Sequence, residues 1–314
     1  MTTRSTRPRL CVVVGGGLCL AVVAGAGAVP AGAVRAPASG VVQAPAGAVR
    51  APASGVVRSA TTSTAGGAAS PLPPVIGTAT RVDPDDEAAW TRRVRVAVRY
   101  ALRRRGRVSF AVITPAGRLR CWHCGRVEPS QSVAKAMLMV AYLRRASVRG
   151  RPLRSADRAL LVPMIRWSDN VTAHVVFDIV GRSGLRAVAR LVPMRRFTPR
   201  NPWYLTRITA ADQARLFRKI DALVPRRHRA FAMRLLATIV PSQRWGIPHS
   251  VPRGWRIYFK GGWGDGGGDV VHQIALLRRG RRRIVIAILT RFNPNHVYGA
   301  RTLRSVSARL LAGI

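Results

Sequence analysis

Acidic residues are the first thing this chain lacks, with 12 Asp and Glu against 53 Lys and Arg in 314 residues and a formal net charge of +41. None of the 12 falls in residues 1–80, where Ala, Gly, Pro, Ser and Val dominate and six arginines supply all the charge. A packed domain is not composed in that way, so folding is expected to begin near residue 81. Residues 81–314 then suit one domain and are ample to bury a core. Lysine is scarcer still: Lys135, Lys219 and Lys260 are the only three. Arginine supplies charge and hydrogen bonds but does not give up its proton in a protein, whereas a desolvated lysine does. Lysine at 135 therefore suggests a place where the amine must titrate. Cysteine is nearly absent from the folding part, which keeps only Cys121 and Cys124. In an exported protein the Cys121-Trp122-His123-Cys124 stretch is expected to form a tight disulfide or to stay as two thiols. A zinc site would need more ligands nearby, and a thioredoxin-like site would want the pair at a helix start in a βαβ unit.

The N-terminus has the layout of a secretory signal peptide over residues 1–30. Arg4, Arg7 and Arg9 precede an apolar, glycine-studded run from Leu10 to Ala28, followed by small-x-small sites. The alternative is an uncleaved anchor, since the run is nearly long enough to span a bilayer. Cys11 and Cys19 would leave with the signal. Ala31–Val42 and Ala46–Val57 then both read AGAVRAPASGVV, offset by fifteen residues. Two copies without a single aromatic build neither a solenoid nor a core, so residues 31–80 read as a flexible tether.

In the folding part, Asp83-Pro84 and the following acids open an amphipathic helix that runs to the Arg103-Arg104-Arg105-Gly106 stop. Val108–Thr114 and Arg118–Trp122 form a β-hairpin about Pro115-Ala116-Gly117. Helical patterns follow at Ala156–Trp167, Val171–Val180 (stopped by Gly181), Ser183–Leu191, Ala210–Leu223 and Arg226–Val240. The period then changes. Trp255–Lys260 alternates, which places Lys260 on the face of Arg256 and Tyr258; Val270–Leu277 and Arg283–Thr290 make a second hairpin; and Ala300–Leu311 ends the chain as a helix. Two strands early and three late imply an α+β fold: an antiparallel five-stranded sheet built from both chain ends, flanked by terminal helices, with an all-helical lobe inserted.

The stretch that carries chemistry is Ser132-Val133-Ala134-Lys135, at the head of the apolar run Ala136–Leu143. Such a run reads as a helix buried on nearly every side. Three residues apart, the hydroxyl and the amine share a helix face. A serine needs a neighbouring base to become a nucleophile, and a helix N-terminus favours the developing negative charge. Alone the motif is weak; the scarcity of lysine sharpens it.

Ser132-Val133-Ala134-Lys135, Ser168-Asp169-Asn170 and Lys260-Gly261-Gly262 occur in that order, at a helix start, between helices and on a strand. The set resembles the Ser-x-x-Lys, Ser-Asp-Asn and Lys-Thr-Gly signature of class A β-lactamases and penicillin-binding proteins, over about residues 85–314. The resemblance implies that Ser132 is the acylated nucleophile, Lys135 its base and Ser168 the proton relay to the leaving nitrogen. It further implies that Asn170 steers substrate and Lys135, and that Lys260 holds a substrate carboxylate and polarises Ser168. The backbone N–H of Ser132 and one from the Gly262–Trp263 edge would form the oxyanion hole. No cofactor or metal is implied, and the substrates would be β-lactams or peptidoglycan-type D-Ala-D-Ala peptides.

Three departures stand out. Gly261 replaces the hydroxyl residue usual after the strand lysine, which removes a hydrogen bond to a substrate carboxylate. Ser132 and Ser168 are close in sequence for a class A enzyme. Between Asp178 and Asp212 there is neither Asp nor Glu, so the Ω-loop glutamate that would activate the deacylating water is missing. A persistent acyl-enzyme is the expectation, with His272 as the alternative base; His272 and His174 otherwise read as structural histidines.

Residues 81–314 keep 47 basic against 12 acidic residues. That field attracts polyanions, which outside a cell means anionic wall polymers or a membrane surface; no motif for specific nucleic-acid recognition is present. The chain is expected to be a monomer. The competing reading is a catalytically silent module that binds such polymers, and the retained Lys135 argues against it.

Overall fold

The structure, a computed structural model, describes residues 87–264 and 269–314. The signal peptide, the tether and the Asp83-Pro84 helix start expected from the sequence lie outside the described residues.

The first helix, α1 (Glu87–Leu102), buries Trp90, Ala97 and Ala101 on one side and leaves arginines on the other. The early hairpin follows as β1 (Arg107–Ile113) and β2 (Leu119–Trp122). A disulfide joins Cys121 in β2 to Cys124 just beyond it, the first of the two alternatives expected. The late strands are β5 (Arg256–Trp263), β6 (Val270–Arg279) and β7 (Arg282–Arg291), and the chain ends in α8 (His296–Leu310). The five strands form one antiparallel sheet in the order β2-β1-β7-β6-β5, so both chain ends contribute and β7 meets β1 at its centre. This is the sheet that the two hairpins and the alternating strand predicted.

Between the two groups of strands lies the helical lobe: α2 (Ala134–Leu143), α3 (Ala146–Arg149), α4 (Ser155–Arg166), α5 (Asn170–Arg190), α6 (Ala210–Leu223) and α7 (Arg229–Ala237). All ten residues of α2 are buried, as its unbroken apolar run requires. Its far end is fixed by Asp157 of α4, which accepts hydrogen bonds from Tyr142 Oη at 2.8 Å and Arg151 Nη1 at 2.6 Å. Within α5, Gly181 takes φ 61°, a left-handed conformation that costs glycine least, and this kink separates the two helical stretches read from the sequence. Two short strands, β3 (Glu128–Pro129) and β4 (Arg207–Ile208), pair with each other; two residues carry no readable period, and the sequence did not show them.

Register decides what each face of the sheet meets. Residue 271 of β6 lies against Gly299 of α8, whereas the even-numbered Arg278 reaches Asp221 of α6 at 3.6 Å and His272 reaches Pro129 beside the lobe. Successive residues point to opposite faces, so α8 covers one face and the helical lobe the other. β5 is consequently buried over Ile257–Gly262 instead of half-exposed. Its alternation still holds geometrically: Lys260 and Gly262 pair with Ile274 and His272 and face the lobe, while Gly261 and Trp263 face α8. β5 is an edge strand of the sheet.

Candidate active site

Three chain segments converge where α2 starts, β5 ends and α4 gives way to α5. Ser132 lies in a 3₁₀ turn (Gln131–Val133) that runs directly into α2. Gln131 just before it takes φ 46°, and Ser168 between α4 and α5 takes φ 59°. Non-glycine residues rarely adopt such values, and strain of this kind persists where surrounding structure imposes it, commonly at functional positions.

Lys135 is fully enclosed, and Ser132 one turn above it is half-buried. The Lys135 amine donates to the backbone oxygen of Ser168, to Ser168 Oγ at 3.2 Å and to Asn170 Oδ1 at 2.7 Å. Ser132 Oγ is not among these partners: the three donors of the charged amine are committed to the Ser168-Asp169-Asn170 turn. The direct Lys135–Ser132 pairing expected from the sequence is therefore not the resting arrangement. A neutral amine changes the count, because it donates twice and carries one lone pair. Two hydrogen bonds to the carbonyl oxygens of Ser168 and Asn170 then leave that lone pair to take a proton. Burial favours this form, pulling the Lys135 pKa from 10.5 down to about 7, opposed only by the charge of Asp169. Asp169 itself caps α5, accepting from Thr172 N and Thr172 Oγ1 at 2.7 Å each. These bonds and the Lys135 charge hold its carboxylate pKa low against the upward pull of burial.

Lys260 comes to the same hydroxyl from the other side, with Nζ 2.9 Å from Ser168 Oγ and 2.9 Å from Gly261 O. It too is fully buried, and desolvation followed by the nearness of Lys135 drives its pKa well below the usual lysine value. Ser168 Oγ thus bridges two enclosed amines, both pushed toward neutrality. The structure brings the Lys260 amine to Ser168, the residue that the resemblance pairs it with. It does not show the amine open to a substrate carboxylate, since the side chain is wholly covered.

Gly262 explains how β5 reaches the nucleophile. A Cβ on it would stand 2.8 Å from both Ser132 N and Val133 N and 3.1 Å from Ser130 O. Only hydrogen fits there, and the fit carries the Gly262–Trp263 edge alongside the Ser132 N–H. Asn170 is exposed at the first position of α5, with its oxygen on Lys135.

His272 is not a spare base. Thr290 N donates to its Nδ1 at 3.1 Å, which leaves the proton on Nε2 to reach Pro129 O at 3.1 Å. Burial lowers its pKa to about 4, and both ring nitrogens are used, Nδ1 in joining β6 to β7 and Nε2 in joining β6 to the strand before the nucleophile. His174 is exposed, one turn along α5, with Nδ1 2.7 Å from Asn170 O. Both fit the structural reading.

Sequence reasoning missed Trp203, Trp245 and His296; Trp263 it had named, as part of the Gly262–Trp263 edge. Trp203, in the acid-free stretch between Asp178 and Asp212, is buried with its ring 4.9 Å from Lys135 Nζ. Near Gly261, Trp245, Trp263 and His296 stack edge to face, with ring centroids 4.8–6.1 Å apart. Trp203, Trp245 and His296 lie in no motif, and the only sequence signal for the two tryptophans was their flanking turn residues. Among the described residues no group of three or more His, Cys, Asp or Glu could hold a metal ion.

Comparison with known proteins gives three results. A family model described as the beta-lactamase enzyme family matches residues 155–314. That span includes Ser168 and Lys260 and stops short of Ser132. A search of curated proteins gives no match. Among solved structures, the chain is similar to a beta-lactamase from Sphaerobacter thermophilus at 20% identity, covering 71% of this chain and 96% of that one, with a TM-score of 0.59. It is similar to an ancestral class A beta-lactamase at 20% identity, 71% and 100% coverage and a TM-score of 0.57. A third, from Chitinophaga pinensis, is 14% identical with 70% and 98% coverage and a TM-score of 0.60. Likeness at these identities is a likeness of fold.

Proposed function

Because the chain belongs to the beta-lactamase enzyme family, we propose that it is an exported active-site-serine acyltransferase or hydrolase that is acylated at Ser132 and releases the acyl group slowly. The observation that carries this reading is the Ser168 hydroxyl held between two buried amines, one of them with a pKa near 7. An arginine at either position would stay charged and could not serve as base.

In this reading neutral Lys135 takes the Ser132 proton as Oγ attacks the carbonyl of a β-lactam or a D-Ala-D-Ala-type peptide. The Ser132 and Trp263 N–H groups receive the oxyanion, where two fixed donors are worth several kcal/mol, on the order of 10²–10³ in rate for each. As the C–N bond breaks, the leaving nitrogen takes a proton from Ser168 Oγ, which is replenished from protonated Lys135. Lys260 keeps Ser168 oriented throughout. Hydrolysis of the ester then needs a base for water. The stretch between Asp178 and Asp212 offers none, and beside Lys135 it contributes the Trp203 ring. Persistence of the adduct follows.

Labelling with a fluorescent penicillin tests the reading. Wild type is expected to carry a covalent label that Ser132→Ala lacks; equal labelling of both, or of neither, overturns it. The second reading, a silent module on anionic envelope polymers, is favoured by the 47 basic residues of 81–314. It predicts salt-sensitive retention on a phosphate polymer together with absence of labelling.

A further inference from the structure

The hydroxyl missing at Gly261 has a structural counterpart. A Cβ at this position would meet Trp245 Cη2 at 3.2 Å and Cζ2 at 3.3 Å, so the indole occupies the space a threonine or serine side chain would need. Trp245 is itself held: its carbonyl accepts from Gln273 Nε2 at 2.6 Å, on the strand paired with β5. Trp263 lies 5.8 Å from it and His296, at the first turn of α8, 4.8 Å, while Trp263 and His296 are 6.1 Å apart. All three rings are half-buried and so retain open surface. Gly261 and Trp263 face α8 at the end of the edge strand while Gly262 between them packs on the Ser132 turn, so these rings stand beside the stretch of β5 that reaches the nucleophile.

Among the described residues, the cations next to these rings in sequence are engaged elsewhere. Lys260 is buried and turned to Ser168 on the other face. Burial lowers the pKa of His296, which favours a neutral ring. Arg244, the nearest guanidinium in sequence, stacks over Phe259 at 5.5 Å and donates to Ala237 O at 3.3 Å. A carboxylate placed against three aromatic rings would lose water without gaining a hydroxyl donor. A flat apolar ring there would gain edge-to-face contact and burial.

Resting on acylation at Ser132, we propose that Trp245, Trp263 and His296 form a leaving-group subsite selective for a neutral aromatic ring over a carboxylate-bearing group, which makes neutral aryl esters preferred acyl donors. With such an ester, Ser132 Oγ forms a bond to the carbonyl carbon and its proton passes to Lys135. The carbon–oxygen bond to the aryl group then breaks, and the phenolate leaves as phenol with a proton relayed through Ser168.

A matched pair of esters tests this: phenylacetylglycine esterified to plain phenol, and the same acid esterified to 3-hydroxybenzoate, which adds one carboxylate. Acylation rates are read by release of the phenol, with Ser132→Ala as background and at physiological salt to damp the protein's overall field. Wild type is expected to favour the neutral ester by about tenfold or more, and the double variant Trp245→Ala/Gly261→Thr to move the ratio toward the carboxylate ester by a similar factor. Trp245→Ala alone, which removes the ring without adding a hydroxyl, should move the ratio in the same direction and serves if the double variant fails to fold. A wild-type preference for the carboxylate ester, or a ratio indifferent to both variants, overturns the subsite while leaving acylation at Ser132 standing. Release of phenol no faster than in Ser132→Ala overturns both.

Discussion

Adding a single methyl group to Gly262 is the sharpest perturbation the site permits. The new Cβ would lie 2.8 Å from the backbone nitrogens of Ser132 and Val133, where ordinary van der Waals contact begins near 3.4 Å. Both neighbours are backbone in a 3₁₀ turn anchored to a fully buried helix, so no side chain can swing aside. Strand and turn must part by roughly half an ångström, and the Trp263 N–H moves with the strand. Misplacement on the order of 1 Å costs about 10²-fold in rate, and loss of one oxyanion donor costs about 10²–10³-fold. Gly262→Ala is therefore expected to slow acylation by about 10²-fold, with overpacking lowering stability by about 1–3 kcal/mol. Gly261→Ala is the internal control. Its closest neighbour is the Trp245 ring at 3.2 Å, a side chain that can yield by a few tenths of an ångström. Its acylation rate should stay within about threefold of wild type, since the oxyanion donors are not displaced. The assay is stopped-flow labelling by a fluorescent penicillin, with thermal melts to confirm folding. Gly262→Ala acylating within threefold of wild type, or Gly261→Ala losing as much, would refute the placement of β5 against the nucleophile.

Further outcomes follow from the same geometry. The acylation rate should rise with pH and half-saturate near 7, because only neutral Lys135 accepts a proton; at pH 6 about a tenth of the plateau should remain, and Lys135→Arg should be inactive at every pH. His272, neutral and buried with a pKa of about 4 against 6.5 for an exposed histidine, binds its proton in the unfolded chain first. Stability should therefore fall as pH drops from 6.5 toward 4, by about 3 kcal/mol from this residue alone; urea midpoints showing as steep a fall in His272→Gln would contradict the assignment. Asp169→Ala removes the α5 cap and should lower stability by about 1 kcal/mol, read as a reduced melting temperature.

Much of this was legible in the chain. The five-stranded sheet followed from two hairpins with alternating strands, and α6 was readable to the residue because its apolar spacing is regular. The three motifs came together as their order implied, with Ser168 between Lys135 and Lys260. Other features depend on packing that no local pattern encodes. The alternation of β5 marked a strand face but not that helices cover both sides, so the complete burial of Lys260 was hidden. Ser132 and Lys135 share a helix face, yet the amine turns to the α4–α5 turn because carbonyl acceptors stand there. Trp203 and Trp245 reach the site from loops far away in sequence, and only the folded chain sets Trp245 against Gly261.

Intact-mass spectrometry after mixing with benzylpenicillin, followed over time and mapped to a peptide, tests the central claim most directly. One added penicillin mass is expected on the peptide containing Ser132, absent from Ser132→Ala and persisting long after excess drug is removed. An unmodified protein, an adduct on another residue, or one that vanishes within seconds as hydrolysed penicillin accumulates would contradict it.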